Sequence, residues 1–454
     1  MSVSISGDTL AVGVPFDTVG ANSRQGSVRM FVRSGGAWVS QGILVANDGA
    51  ANDLFGQCVA VSGDTVAVGV ASDDVGANVA QGSVRIFFRL NATWFAQATV
   101  TASDGAAYDY FGTSISPSGD TLAVGAPNDD VGANSNQGSV RVFVRSGVTW
   151  FPQATLVASD GEPNDYFGQS LSLSGDTLAV GVPLDDVGGN MDQGSVRVFV
   201  RSGGAWTAQA TLTASDGAAS DNLGGVVSIS GDTLAVGASR DDVGGIMDQG
   251  SVRVFVRSGT TWAAHATLTA SDGASGDAFG VSVCVSGDIV AVGAPYQTVG
   301  MNMYQGSVYV FGNYSVFDQT INTGYQSLAA AIAGGWDGHR LLVSAPAFAQ
   351  AGGVIDASSK RYAFICLEPL TIPSTAMMTV ASGTTFEKSP GVMAAGLTVA
   401  GKLIAPGSGT LSFEQLSVAS GGQFMQYGTR VLVNQNLATT SGGACYLQGP
   451  VLAE

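Results

Sequence analysis

The stretch Gln169-Ser-Leu-Ser-Leu-Ser-Gly-Asp-Thr-Leu-Ala-Val-Gly-Val-Pro183 holds two short runs of strand character on either side of a Gly-Asp pair. Polar and apolar residues alternate in the first run, as a half-buried strand requires. Gly175 followed by Asp176 is a two-residue hairpin signal, because glycine reaches positive φ without a Cβ clash. Ser195-Val-Arg-Val-Phe-Val-Arg201 and the run from Trp206 to Ala214 add two further strands, so the unit reads as a four-stranded antiparallel meander.

The unit recurs. Ser-Gly-Asp-Thr, with Ile for Thr in the last copy, places Gly7, Gly63, Gly119, Gly175, Gly231 and Gly287 at steps of 56 residues. The same step joins Trp38, Trp94, Trp150, Trp206 and Trp262, and the Gln-Gly-Ser-Val sequences that begin at Gln25, Gln81, Gln137, Gln193, Gln249 and Gln305. A fixed period of this size marks a repeat architecture. A lone meander cannot bury both faces, whereas stacking such sheets radially buries each inner face and protects the edges. The expected fold is therefore all-β, a β-propeller of six four-stranded blades. Later units carry an Asp-Gly-x-x-x-Asp-x-Phe-Gly lead-in, as at Asp104 to Gly112, whose first copy would fall before Met1. Either six blades close the ring, or the chain begins inside a repeat and a seventh blade belongs upstream.

Composition agrees with many tight turns between strands: glycine accounts for 64 of 454 residues and proline for only 13. The formal charge of -17 repels phosphate backbones and anionic membranes, which excludes nucleic acid as an expected partner. All three lysines, Lys360, Lys388 and Lys402, lie in the last third, which marks a domain boundary. No apolar run approaches the roughly 20 residues of a membrane-spanning helix, and the first residues have no leader-like pattern. Cys58, Cys284, Cys366 and Cys445 are scattered without metal-ligand spacing, so neither a zinc site nor a disulfide framework is readable.

Phe55-Gly56, Phe111-Gly112, Phe167-Gly168 and Phe279-Gly280 each precede a strand. Val-Gly-(Ala/Val)-Pro occurs at Val12 to Pro15, Val124 to Pro127, Val180 to Pro183 and Val292 to Pro295. Together these resemble FG-GAP repeats over residues 1–323; the fifth lead-in departs, with Leu223-Gly224. The resemblance implies the propeller of integrin α-subunit heads, also found in many secreted microbial proteins, where it serves adhesion and recognition. Integrin-like units often hold calcium in a D-x-D-x-D-G-x-x-D loop. Here that hairpin has shrunk to Ser-Gly-Asp-Thr, and one carboxylate such as Asp120 makes no calcium site.

Two other acidic groups are candidates for a cation. Asp73-Asp74, Asp129-Asp130, Asp185-Asp186 and Asp241-Asp242 follow the second strand, while Asp104 with Asp109 and Asp160 with Asp165 lie in lead-in loops. Asp74, Asp130, Asp186 and Asp242 are the weak metal candidates, with calcium the ion. The competing reading is that these aspartates cap turns and pair with Arg85, Arg141, Arg197 and Arg253 of the third strand. The Trp series reads as packing rather than a sugar-stacking surface, since it recurs with the scaffold. His265 replaces the glutamine of Gln41, Gln97, Gln153 and Gln209, His339 is isolated, and no nucleophile, P-loop or dinucleotide motif is present. Glu162 and Arg240 break the symmetry singly. Asn91-Ala-Thr93 and Asn313-Tyr-Ser315 fit the glycosylation pattern.

After Gly312 the 56-residue step is lost. A strand-like stretch through Thr320 would finish the sixth blade, and Tyr325 to Ala333 reads as a short helix resembling the cap of a parallel β-helix. Val380, Val399, Val418 and Leu437 then stand 19 apart, which suggests a β-solenoid over residues 324–454. The rival is a degenerate seventh unit around Leu341-Leu-Val-Ser-Ala-Pro346. The functional expectation is a non-enzymatic extracellular or cell-surface recognition protein whose propeller loops bind a protein or a glycan. The alternative is a secreted polysaccharide-active enzyme with a catalytic C-terminal solenoid, and a third reading is an architectural element of an envelope or filament.

Overall fold

The computed structural model describes residues 2–287 and 289–312, together with the backbone of strands between 316 and 453; side chains are described as far as Phe311. The chain divides into two compact units, Met1–Phe311 and Gly312–Glu454. The boundary read from the sequence, 323/324, lies later. The stretch expected to finish the sixth blade pairs elsewhere: Val316–Asp318 runs antiparallel to Thr323–Tyr325 and to His339–Val343.

The first unit is a β-propeller of six blades. Five are four-stranded sheets in sequential order, as in Ser170–Ser174, Thr177–Val182, Ser195–Ser202 and Ala205–Leu212. The sixth has three strands among the described residues, Ser282–Ser286, Ile289–Ala294 and Ser307–Gly312. Every glycine of the first hairpin has φ between +56° and +58°, a left-handed value that a Cβ would disfavour. The aspartate that follows is held too: Arg145 donates from Nε to Asp120 Oδ1 at 2.8 Å and from its backbone N to the Asp120 carbonyl at 2.7 Å. That single carboxylate therefore ties the hairpin to the third strand.

The cores lie between blades rather than within them. Ala60, Ala67, Val84 and Ile86 of the second blade pack on Ile115, Leu122, Val124 and Phe143 of the third, with Phe111 from the lead-in fully enclosed. Packing this close explains the repeated glycines. A Cβ on Gly69 would stand 2.2 Å from the Gly112 carbonyl oxygen, and one on Gly82 would stand 2.2 Å from that of Phe111. No side chain fits where two backbones approach so closely.

Each first strand is the inner edge of its sheet, and an edge carries unpaired backbone groups. Serines of the preceding blade satisfy them: Leu173 N donates to Ser116 Oγ at 2.9 Å and Ile229 N to Ser172 Oγ at 3.1 Å. On the outer rim, Trp206 Nε1 donates to Gln153 Oε1 of the blade before it at 2.9 Å, while Arg201 lies over the same indole at 5.3 Å. The Trp series is thus rim packing, with the polar edge of each ring spent on a neighbour.

The two end blades differ from the rest. Val3 and Ile5 of blade one are 68% and 59% exposed, although their counterparts Val59 and Val61 are buried. Val308 and Val310 of blade six are 72% and 65% exposed, where Val140 and Val142 are buried.

In the second unit most described pairings are parallel. His339–Val343 pairs with Tyr362–Cys366, and that strand with Thr385–Lys388. Leu397–Val399 pairs with Leu416 to Val418, which gives the 19-residue step from Val399 to Val418. Val380 belongs to another stack, opposite Ala357, and Leu437 faces Leu416 rather than Val418. The step of 19 therefore holds between Val399 and Val418 and not along the whole series. The short helix expected from Tyr325 to Ala333 lies outside the described residues, apart from Tyr325, which closes a strand.

Candidate functional site

Both long connections of each unit emerge on the same face. The loop between the second and third strands is pinned to the lead-in of the next unit: Asn134 Nδ2 donates to Gln137 Oε1 at 3.0 Å and to the Gly161 carbonyl at 2.8 Å, and Gln137 Nε2 donates to the Ala158 carbonyl at 2.9 Å. The five such loop pairs among the described residues need ordered polar anchors because their backbones have no ladder of their own.

The aspartate pairs are part of that anchoring, and the two members of a pair work apart. The first member is sunk beneath the loop, where it accepts from a serine hydroxyl and an arginine; Arg253 bridges Asp241 and Asp216, each at 2.8 Å, and so joins the loop to the lead-in before it. The second member faces outward. Asp74, Asp130, Asp186 and Asp242 accept from the backbone N of Ala80, Asn136, Asp192 and Asp248, all at 2.8 Å. The four weak metal candidates are thereby engaged as turn caps. Among the described residues no three His, Cys, Asp or Glu side chains are grouped to hold a metal ion.

The lead-in aspartates cap their own turn. Asp109 Oδ2 accepts from Ala106 N at 2.6 Å and Asp165 Oδ2 from Glu162 N at 2.7 Å. Burial pushes both carboxyls up to about 6, against the lowering effect of the amide each accepts. Asp216, held by Arg253, moves the other way.

What breaks the symmetry of this face is apolar. At the loop position that steps by 56, the first three units carry Ser23, Val79 and Ser135, and the last three carry Met191, Met247 and Met303. These methionines are exposed, and Met301, Tyr296 and Tyr304 stand beside them, also exposed. Ile246 occupies the place of Asn134, so the amide oxygen of buried Gln249 has no partner. Between blades five and six a cleft of about 640 Å³ is lined by Arg240, Asp242, Met247, Val281 and Tyr296. Of these, sequence inspection singled out Arg240 as a break in the symmetry and Asp242 as a weak metal candidate. The methionine row was visible only by reading the 56-residue alignment down its loop columns, where no scaffold motif draws the eye.

The remaining candidates have structural places. His265 stands where Gln209 accepts from Trp262, but the residue 56 beyond Trp262 is Asp318, so that rim bond has no counterpart. Asn91 is exposed at a hairpin tip with φ of +50°, as a glycosylation acceptor would have to be; Asn313 and the side chain of His339 lie outside the described residues.

The FG-GAP repeat profile matches residues 38–87, 94–143, 150–199, 206–255 and 262–311. Each match runs from the rim tryptophan of one blade to the third strand of the next, so a repeat spans an interface rather than a sheet. Comparison with curated proteins returned no match.

Proposed function

The chain belongs to the FG-GAP repeat family, and on that footing we propose that it is a non-enzymatic recognition protein, working outside the cell or at its surface, whose long-loop face binds another protein. FG-GAP repeats occur in adhesion and recognition proteins, and no helix among the described residues is long and apolar enough to cross a membrane.

The observation that carries the reading is the exposed row Met191, Met247 and Met303 with Tyr296 and Tyr304. Large exposed apolar side chains at one loop position of three successive blades suit a contact surface, and methionine adapts to the shape of what it meets. A glycan would call instead for a flat aromatic platform with polar groups, and the tryptophans that could form one are committed to the rim. Asp192 and Asp248 border the patch, which favours a partner with basic residues around an apolar centre. The parallel strands of the second unit suit a solenoid-like spacer that carries the propeller.

The test is retention of intact cells and of purified matrix proteins on the immobilised full chain, compared with the triple variant Met191→Ser, Met247→Ser, Met303→Ser. Loss of retention in the variant, with an unchanged thermal midpoint, supports the reading. Equal retention by both, or binding on a glycan array alone, refutes it.

A further inference from the structure

In blades one to five the third and fourth strands meet in a two-residue hairpin on the outer rim. Blades one, three, four and five carry glycine first in that turn, at Gly35, Gly147, Gly203 and Gly259. Blade two carries Asn91 instead, at a φ of +50°, a left-handed value that asparagine tolerates better than most residues. Two more departures fall on the same hairpin. Phe88 stands where the others have Val32, Val144, Val200 and Val256, and Leu90 where they have Ser34, Ser146, Ser202 and Ser258.

The departures share one face. Phe88 pairs with Phe95 and Leu90 with Thr93, and residues two apart along a strand point the same way. The Phe88 and Phe95 rings stack at 5.6 Å between centroids. The opposite face is already occupied: Arg89 lies over Trp94, and Trp94 Nε1 donates to Gln41 of blade one at 3.0 Å. The Phe88 face is bare, with Leu90 55% and Phe95 45% exposed. At Phe88 it opens into a hollow of about 500 Å³ lined also by Gln97, Arg145 and Val148. Exposed Asn91 crowns the face, and Asn91-Ala-Thr93 has the spacing of an N-glycosylation acceptor. Such a triplet is common by itself. Here the one asparagine of the turn column coincides with the one phenylalanine and the one leucine on the strand beside it.

We propose that Asn91 is an N-glycan acceptor and that the first sugars of the glycan lie back over Leu90 and Phe88. The inference rests on the placement outside the cell proposed above, because the transfer takes place during export. In that transfer Asn91 Nδ2 bonds to the anomeric carbon of a lipid-diphosphate-linked oligosaccharide. The bond from that carbon to the diphosphate breaks, the lipid diphosphate leaves with the electron pair, and Nδ2 releases one proton to solvent. The apolar face of the attached N-acetylglucosamine covers the rings, while its hydroxyls stay in water or reach Gln97. The glycan thus hides apolar side chains that a bare hairpin shows to solvent, which accounts for Phe and Leu where the sibling hairpins have valine and serine.

The test is to make the full chain twice, secreted from cultured mammalian cells behind an added leader and, without a glycan, in bacteria. Peptide-N-glycosidase in heavy-oxygen water marks each freed asparagine as a labelled aspartate, read by peptide mass spectrometry. Asn91 is expected to be labelled in most copies of the secreted chain, and the secreted chain to melt above the bacterial one. Phe88→Val with Leu90→Ser installs the residues of the sibling hairpins, so the fold is kept; this double variant should still be labelled at Asn91 but lose the difference in midpoint. An unlabelled Asn91 in the folded, secreted chain overturns the proposal. So does a midpoint difference that is absent in wild type, or equal in wild type and double variant, since the sugars would then lie elsewhere. Binding through Met191, Met247 and Met303 is read by a different assay, so failure of the recognition reading is told apart from failure of this one.

Discussion

Replacing Phe111 separates the interface model of stability from one in which each sheet is its own core. The ring is fully enclosed between blades two and three and meets Phe143 edge-on at 6.2 Å between centroids. Phe111→Ala removes the ring from a site whose walls belong to two sheets, and a change of this kind costs about 3–5 kcal/mol. The chain supplies its own control. Leu223 fills the equivalent position in the fifth lead-in and is likewise fully buried, so the site accommodates leucine, and Phe111→Leu is expected to cost only about 1–1.5 kcal/mol. Because blades contact only their neighbours, the damage should stay local. Urea unfolding gives the two energies, and hydrogen exchange by mass spectrometry gives their location: faster exchange across residues 58–156, with blades four and five unchanged. Equal midpoints for the alanine and leucine variants, or an increase spread evenly over all six blades, would refute the reasoning.

Three further outcomes follow from the loop face. Arg141→Met leaves the half-buried Asp129 carboxylate without its cation and should cost about 1–3 kcal/mol in chemical denaturation, part of which Asp129→Asn restores in the double variant. Ile246→Asn returns the missing donor to Gln249 and should raise stability by about 1 kcal/mol; a lower melting temperature would show that the orphan oxygen is not the cause. For pH, Asp109 and Asp165 titrate at about 6 in the folded state against 3.8 in the unfolded chain, so the folded state binds protons more tightly between these values. Their contribution is complete below 3.8 and is lost as pH rises through about 6, while Asp48 and Asp216, whose values are lowered, withdraw stability only as pH falls below the ordinary carboxylate range. The melting temperature should therefore be higher near pH 5 than near pH 8, and the double variant Asp109→Asn, Asp165→Asn should flatten that decline.

The sequence by itself determined the blades. A 56-residue beat, alternating strands and a Gly-Asp hairpin are local signals, and each depends on backbone chemistry within a few residues. It also offered the pairing of the aspartates with the third-strand arginines, since both recur in step, as one of two readings beside a cation site. The tertiary structure decided what those residues do across blades: which aspartate of a pair lies beneath the loop, why Gly69 must be glycine opposite Gly112, and that the Ser116 and Ser172 hydroxyls serve the next sheet. It also decided where the first unit ends, because pairing of Val316–Asp318 is a competition between partners distant in sequence. The open rows of Val3, Ile5, Val308 and Val310 were hidden for the same reason. Their side chains match the repeat pattern as well as any, and only the position of a neighbouring sheet tells a buried valine from an exposed one.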